Sequence, residues 1–210
     1  LVYHAAVPPG TKGIPMRKSV TIVLALTLAV AAFGLSGCSL FSHANDDANN
    51  LITAANANLK KFQTSDEKVR TLAAQLNDLG LSPADAAKAL TITAQIRTEL
   101  ELQKAGLADA SGKIAKIKTL DVDDTVKKYA DLEVAALAAQ EAVVDEGLKV
   151  YTEVDKLYTA IRGGNANTKL TGELSVSIAA IQENIKTLSD KASKALEIAN
   201  AYLNKAAPAK

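Results

Sequence analysis

The side chains of this 210-residue chain best suited to chemistry are one cysteine, one nearby histidine and several neighbouring carboxylates. Cys38 is the only cysteine, so the chain has no second thiol for an internal disulfide or a thiolate metal cluster. His43 is the only histidine after Cys38. A haem or di-iron site in a helical bundle needs several inward-facing ligands, so we expect His43 to be a linker residue. The sequence predicts no metal site and no cofactor.

Acid–base chemistry would need two carboxylates that converge. The candidate pairs are Glu99 and Glu101, Asp123 and Asp124, and Asp145 and Glu146. On a helix, neighbours one or two residues apart diverge by about 100° to 200°, so most such pairs cannot share a proton or a substrate. Residues 121–124 also offer oxygens for a calcium ion but lack the glycine and distal glutamate of a calcium loop, and we favour a helix cap. With no phosphate loop and no Gly-x-Ser-x-Gly motif, we predict no catalytic residues.

Tyrosines are the remaining candidates for ligand contact. Those that follow Cys38 are Tyr129, Tyr151, Tyr158 and Tyr202. Tyr151 and Tyr158 are seven residues apart and share a helix face, which would suit a ligand groove. We favour the alternative, in which these rings lie at the edge of a core with their hydroxyls in water.

The segment that precedes Cys38 has three parts in the order of a secretory signal peptide. They are a positive start at Arg17 and Lys18, an uncharged apolar stretch over 20–35, and the ending Leu35-Ser36-Gly37. An apolar stretch of about 16 residues is shorter than the roughly 20 that span a bilayer. We therefore favour a cleaved leader over a short transmembrane helix with a buried cysteine.

Leu35-Ser36-Gly37-Cys38 resembles the lipobox of bacterial lipoproteins. The resemblance implies that signal peptidase II recognises Leu35, Ser36 and Gly37 and cuts before Cys38, whose thiol carries a diacylglyceryl group. It also implies that membrane lipid is the partner of Cys38 and that the protein faces the extracytoplasmic side of the cell membrane. In a Gram-negative cell, Ser39 in place of aspartate implies transfer to the outer membrane. Two or three acyl chains, palmitate among them, make a stable anchor.

These features predict the division of the chain. The predicted segments are an upstream or non-native extension (1–15), a signal peptide (16–37), a lipidated tether (38–45), a helical bundle (46–205) and a tail (206–210). Three of the 24 basic residues and none of the 23 acidic residues precede Cys38, so the remainder has a net charge of −2. A chain with so little net charge has no electrostatic footprint for nucleic acid.

Apolar residues after the tether recur with a helical period, and aromatic residues make up only 4% of the chain. The predicted fold class is all-α: an elongated antiparallel four-helix bundle with coiled-coil-like packing. Ser82-Pro83-Ala84-Asp85 predicts a helix start, and Gly80 and Gly163-Gly164 predict helix ends. The positions expected to weaken the helices or their apolar stripes are Asp66, Gly106, Ser111-Gly112, Gln140 and Gly147.

The predicted function is that of a membrane-anchored, non-catalytic lipoprotein. Its bundle would act as a structural or interaction module of the cell envelope or cell surface, with a cell-wall or envelope-protein partner and no nucleic acid. The alternative is a carrier that holds a small apolar ligand within the bundle, because alanine-rich helices with few aromatic side chains leave room in a core.

Overall fold

The computed structural model describes residues 46–206. They form four α-helices: α1 (Asp46–Asn77), α2 (Pro83–Lys116), α3 (Asp124–Arg162) and α4 (Thr168–Ala206), with a 3-10 helix (Ile117–Thr119) after α2. Helices of 32 to 39 residues are about 48–58 Å long at 1.5 Å per residue. No strand occurs within 46–206, so the all-α prediction is confirmed. The predicted extension, signal peptide and tether, and the tail after Ala206, lie outside the described residues.

Side-chain caps begin two of the helices. The hydroxyl of Ser82 accepts a hydrogen bond from the backbone N–H of Asp85 at 3.1 Å, with Pro83 in the first helical turn. Asp123 accepts from the backbone N–H of Thr125 at 2.6 Å, and hydrogen bonds from Thr125 lower the pKa of Asp123. The helix cap predicted at 121–124 is therefore confirmed.

The glycines expected to weaken the second helix do not interrupt it. Helix α2 runs without interruption from Pro83 to Lys116, through Gly106 and Gly112. A helical glycine costs only about 1 kcal/mol relative to alanine, which packing against neighbouring helices outweighs. A Cβ atom on Gly106 would lie 3.7 Å from the carbonyl oxygen of Asn58, so this glycine lies where the α1 backbone approaches closely.

Helices that are consecutive in sequence pack against each other: α1 on α2, α2 on α3, and α3 on α4. The buried positions of α2 alternate by three and four residues, as in a coiled coil. They are Ala86, Ala89, Thr93, Ile96, Leu100, Gln103, Leu107, Ala110 and Ile114, followed by Ile117 of the 3-10 helix. One contiguous cluster of buried apolar side chains includes residues of all four helices. The helices thus satisfy one another's apolar faces.

Polar contacts between helices fix the register and direction of the first three. Between α2 and α3, ion pairs join Arg97 to Asp155 at 3.0 Å and Lys104 to Asp145 at 2.8 Å. Because the residue number rises on one helix as it falls on the other, the two helices are antiparallel, as predicted. Half-exposed ion pairs contribute only about 0–1 kcal/mol each, so they select the register more than they stabilise the fold.

Helix α4 is attached differently. Among the described residues, its side-chain hydrogen bonds and ion pairs stay within α4 and the preceding turn, as in Lys169–Glu173 and Thr171–Asn167. Its buried residues are apolar, including Leu174, Ile178 and Ile185. Apolar burial therefore holds α4 on α3.

Candidate functional site

The predicted lipid-attachment and peptidase-recognition residues, Leu35 to Cys38, lie outside the described residues, as does His43. Within 46–206, no group of three or more His, Cys, Asp or Glu side chains is placed to hold a metal ion. What the structure can test is where the carboxylates and tyrosines of the bundle lie.

The paired carboxylates do not converge. Glu99 accepts hydrogen bonds from Ser65 at 2.8 Å and from Lys68 at 3.1 Å, both on α1, whereas Glu101 is exposed. Asp145 binds Lys104 of α2, and the hydrogen bond from Lys104 to Asp145 raises the pKa of that lysine. Glu99 and Asp145 therefore join neighbouring helices, as expected for surface charges of a bundle.

The interpretation of the tyrosines as core-edge residues with wet hydroxyls is wrong for three of the four. Tyr129, Tyr151 and Tyr158 are each no more than 2% exposed. Burial raises the pKa of all three phenols. The helical period showed that Tyr151 and Tyr158 share a face, but it could not show that α3 lies between two other helices. Tyr202 is half-buried.

Asp66 was expected to interrupt the first apolar stripe, and the structure instead places it in the core, where it is 5% exposed. Its carboxylate accepts from the Arg70 guanidinium at 2.8 Å. Burial raises the pKa of Asp66, and the charge of Arg70 opposes that effect. Pairing with a cation one turn away allows an acid at this position. Asn56 and Asn58 of α1 are half-buried.

A second buried acid lies in α3 with a hydrogen-bond donor from its own helix. Glu133 is 1% exposed and accepts a 2.8 Å hydrogen bond from the Tyr129 hydroxyl. Burial raises the pKa of the Glu133 carboxyl, and the Tyr129 hydrogen bond lowers it to a smaller extent. The pair can hold a proton in the core, and among the described residues no cation forms an ion pair with Glu133.

Other buried polar groups have no partner within 46–206. The amide of Gln103 is fully buried, and neither its oxygen nor its nitrogen has a hydrogen-bond partner. The same holds for the Gln140 amide oxygen and the hydroxyls of Tyr151 and Tyr158. Each such atom costs about 1–3 kcal/mol, so the five together cost about 5–15 kcal/mol.

The helix register places three of these side chains along about 16 Å of the core. The Lys104–Asp145 and Arg97–Asp155 pairs put Gln103 opposite residues 146–149 of α3, which include the buried Gly147. Along the axis of α3, Tyr151 lies four residues after Gly147, which is about 6 Å. Gln140 lies seven residues before Gly147, which is about 10 Å. We call Gln103, Gln140 and Tyr151 the mid-core polar group. Gln140 and Gly147, expected to be weak points of the stripe, belong to this region.

The surface offers less specific features. A shallow groove of about 580 Å³ lies between α1 and α2, beside the Lys68–Glu99 ion pair. The large apolar side chains that are exposed within 46–206 are Leu81, Leu102, Val176 and Ile198. Single exposed apolar residues are normal on a protein surface, so they do not mark a docking face.

Comparison of the chain with known protein families, with curated proteins and with solved structures finds no match. Within 46–206, no helix has the length and apolar character needed to cross a membrane.

Proposed function

We propose that this protein is a lipid-anchored, extracytoplasmic lipoprotein whose helical bundle acts without catalysis, through its surface. The observation that carries the proposal is the lipobox-like Leu35-Ser36-Gly37-Cys38 at the end of a positive and then apolar leader. Charge, length, small residues and cysteine position agree with one another in that leader, which makes the pattern specific.

The distance from the anchor to the bundle supports a role near the membrane. Helix α1 begins at Asp46, eight residues after Cys38. Eight residues span at most about 26–29 Å when fully extended, so a lipid on Cys38 would keep the start of the bundle within that distance of the bilayer. Helices about 50 Å long would then present their sides to the cell wall or to envelope proteins.

The packing of the bundle supports a domain that stands outside the bilayer. The apolar stripes of the four helices are buried in one common core, including fully buried Ile96, Leu100 and Leu107 of α2. Such a core does not need lipid to cover it. The anchor would therefore determine the location of the protein, and the surface of the bundle would determine which molecules the protein contacts.

Metabolic labelling with a clickable fatty acid in a bacterial host tests the anchor. We expect label on the wild-type chain and on the Ser39→Ala control, which keeps the thiol, and none on Cys38→Ala. Label retained by Cys38→Ala would show that the lipobox interpretation is wrong.

Pull-down from detergent-solubilised membranes, with and without peptidoglycan, tests the surface role. We expect enrichment of wall material or of one envelope protein with the full chain. The matched control is the same chain after heat unfolding. If nothing is enriched above that control, the proposed interaction role fails, although the anchor would stand.

A further inference from the structure

The C-terminal part of α4 packs on α3 apart from the main core of the bundle. From α4, the contiguous cluster of buried apolar side chains includes Leu174, Ile178 and Ile185. Within 46–206, the buried apolar residues outside that cluster come from the first part of α3 and the last part of α4: Tyr129, Ala136, Ala192, Leu196 and Ala199. Alanine buries only one methyl group, so the contact that these residues make is small.

The helix register brings these residues of α3 and α4 to the same level. The turn 163–167 joins two helices that pack along each other, so α3 and α4 are antiparallel, and Ala136 lies level with about residue 194 of α4. Tyr129 and Ala136 lie about 160–180° around α3 from Asp145, which pairs with Lys104 of α2. Because α3 packs on α2 and on α4, Tyr129 and Ala136 face α4.

Polar contacts fix the other helices at this end of the bundle. Lys118, in the 3-10 helix after α2, pairs with Asp131 of α3 at 2.7 Å, and the Asn58 amide of α1 donates a hydrogen bond to Asp109 of α2. Among the described residues, no side-chain hydrogen bond or ion pair joins α4 to another helix. Segments with few apolar contacts and no such links open at low free-energy cost while the rest of a protein stays folded.

We propose that residues 192–206 of α4 are a detachable cover, which separates from α3 as one unit while the rest of the bundle stays folded. Opening uncovers an apolar strip of α3 that includes Tyr129 and Ala136. Because consecutive helices are antiparallel, this strip lies at the end of the bundle where α1 begins. The inference depends on packing within the bundle and not on the lipid anchor.

Thiol labelling of buried cysteines tests this opening. The full chain with Cys38→Ser contains no other cysteine, so an introduced thiol can be followed by its reaction with DTNB. Ala136→Cys reports on the strip under α4. Ala130→Cys is the matched control, because both alanines are 0% exposed on α3 and Ala130 belongs to the main cluster. We expect Ala136→Cys to react on the order of 100 times faster than Ala130→Cys.

The dependence of these rates on urea shows how much of the protein opens. The slope scales with the surface exposed, so the rate for Ala136→Cys should rise less steeply with urea than the rate for Ala130→Cys. Equal rates and equal slopes for the two variants would mean that the thiols react only after global unfolding, and would overturn the proposal.

Ala199→Cys, on α4, distinguishes opening of the whole cover from fraying of a helix end. If the cover opens as one unit, Ala199→Cys and Ala136→Cys react at similar rates. A fast Ala199→Cys beside an Ala136→Cys as slow as Ala130→Cys would show fraying alone and contradict the proposal. If a variant lacks the helical circular dichroism of the Cys38→Ser chain, hydrogen exchange of that chain replaces it. Amides of 192–203 should then exchange as one group, faster than those of 174–188, and equal protection would refute the cover.

Discussion

Replacement of Glu133 by glutamine should stabilise the protein at neutral pH. Glu133 is 1% exposed, and its described hydrogen bond is the one from the Tyr129 hydroxyl at 2.8 Å. Desolvation of a buried carboxylate costs several kcal/mol, of which a hydrogen bond to the charged group returns about 1.5–3 kcal/mol. Glutamine keeps an oxygen for Tyr129 and carries no charge. At a pH where Glu133 is ionised in the folded wild type, we therefore expect the free energy of unfolding of Glu133→Gln to be higher than that of wild type by on the order of 1–3 kcal/mol.

The gain should depend on pH in a defined direction. Burial raises the pKa of Glu133 in the folded state above its unfolded value. As pH rises between the two values, the unfolded chain releases its proton first, so wild-type stability falls by up to about 1.4 kcal/mol per pH unit. Below the unfolded pKa, protonated glutamic acid and glutamine are nearly equivalent. The difference between variant and wild type should therefore start near zero at acidic pH, grow as pH rises and then level off.

Urea unfolding followed at 222 nm, repeated from pH 4 to pH 8, measures this difference directly. Burial also raises the pKa of Asp66. Because wild type and variant both contain Asp66, its contribution cancels when the two are compared at the same pH. Glu101→Gln is the matched control because Glu101 is exposed on α2, and it should change stability by no more than about 0.5 kcal/mol. A difference for Glu133→Gln that stays constant with pH, or that increasingly favours wild type as pH rises, would refute the reasoning.

Three further predictions concern the bundle and its placement. Leu100→Ala, at a fully buried position, should lower the free energy of unfolding in urea by about 2–5 kcal/mol. Leu102→Ala, at a position 58% exposed, should lower it by no more than about 0.5 kcal/mol, and similar losses for the two variants would contradict the packing described. Residues 46–206 expressed alone should give the circular dichroism of a helical protein, and a spectrum of strand or disorder would show that the bundle needs the rest of the chain. Protease added to intact spheroplasts should degrade the bundle and spare cytoplasmic markers, because the positive end of the leader stays inside; full protection would reverse the inferred orientation.

Local sequence signals predicted the helix boundaries well, because each depends on a few adjacent residues. Ser82 with Pro83 and the acidic residues at 121–124 begin helices as predicted, and Gly163 follows the last residue of α3. Gly106 shows the limit of such signals. A single glycine weakens a helix by about 1 kcal/mol, but its effect in the protein depends on the neighbouring helix, which the local sequence does not contain.

Burial was harder to predict because periodicity shows which residues share a face but not how much of the helix other helices cover. Three lines of buried residues run along α3. Tyr151 and Tyr158 are therefore fully buried, although their hydroxyls were expected to reach water at the edge of the core. Periodicity also could not place Asp66 in the core, because an acid is tolerated there only when paired with a cation, here the half-exposed Arg70. The mid-core polar group depends on the register between α2 and α3, which ion pairs such as Lys104–Asp145 reveal only in the folded structure.

Intact-mass spectrometry of the protein extracted from membranes of a bacterial host tests the proposed function most directly. We expect a chain that begins at Cys38, lacks residues 1–37, and carries the added mass of a diacylglyceryl group, with or without a further acyl chain. A chain that retains its leader, or that begins elsewhere with an unmodified Cys38, would contradict the lipid anchor on which the proposed function depends.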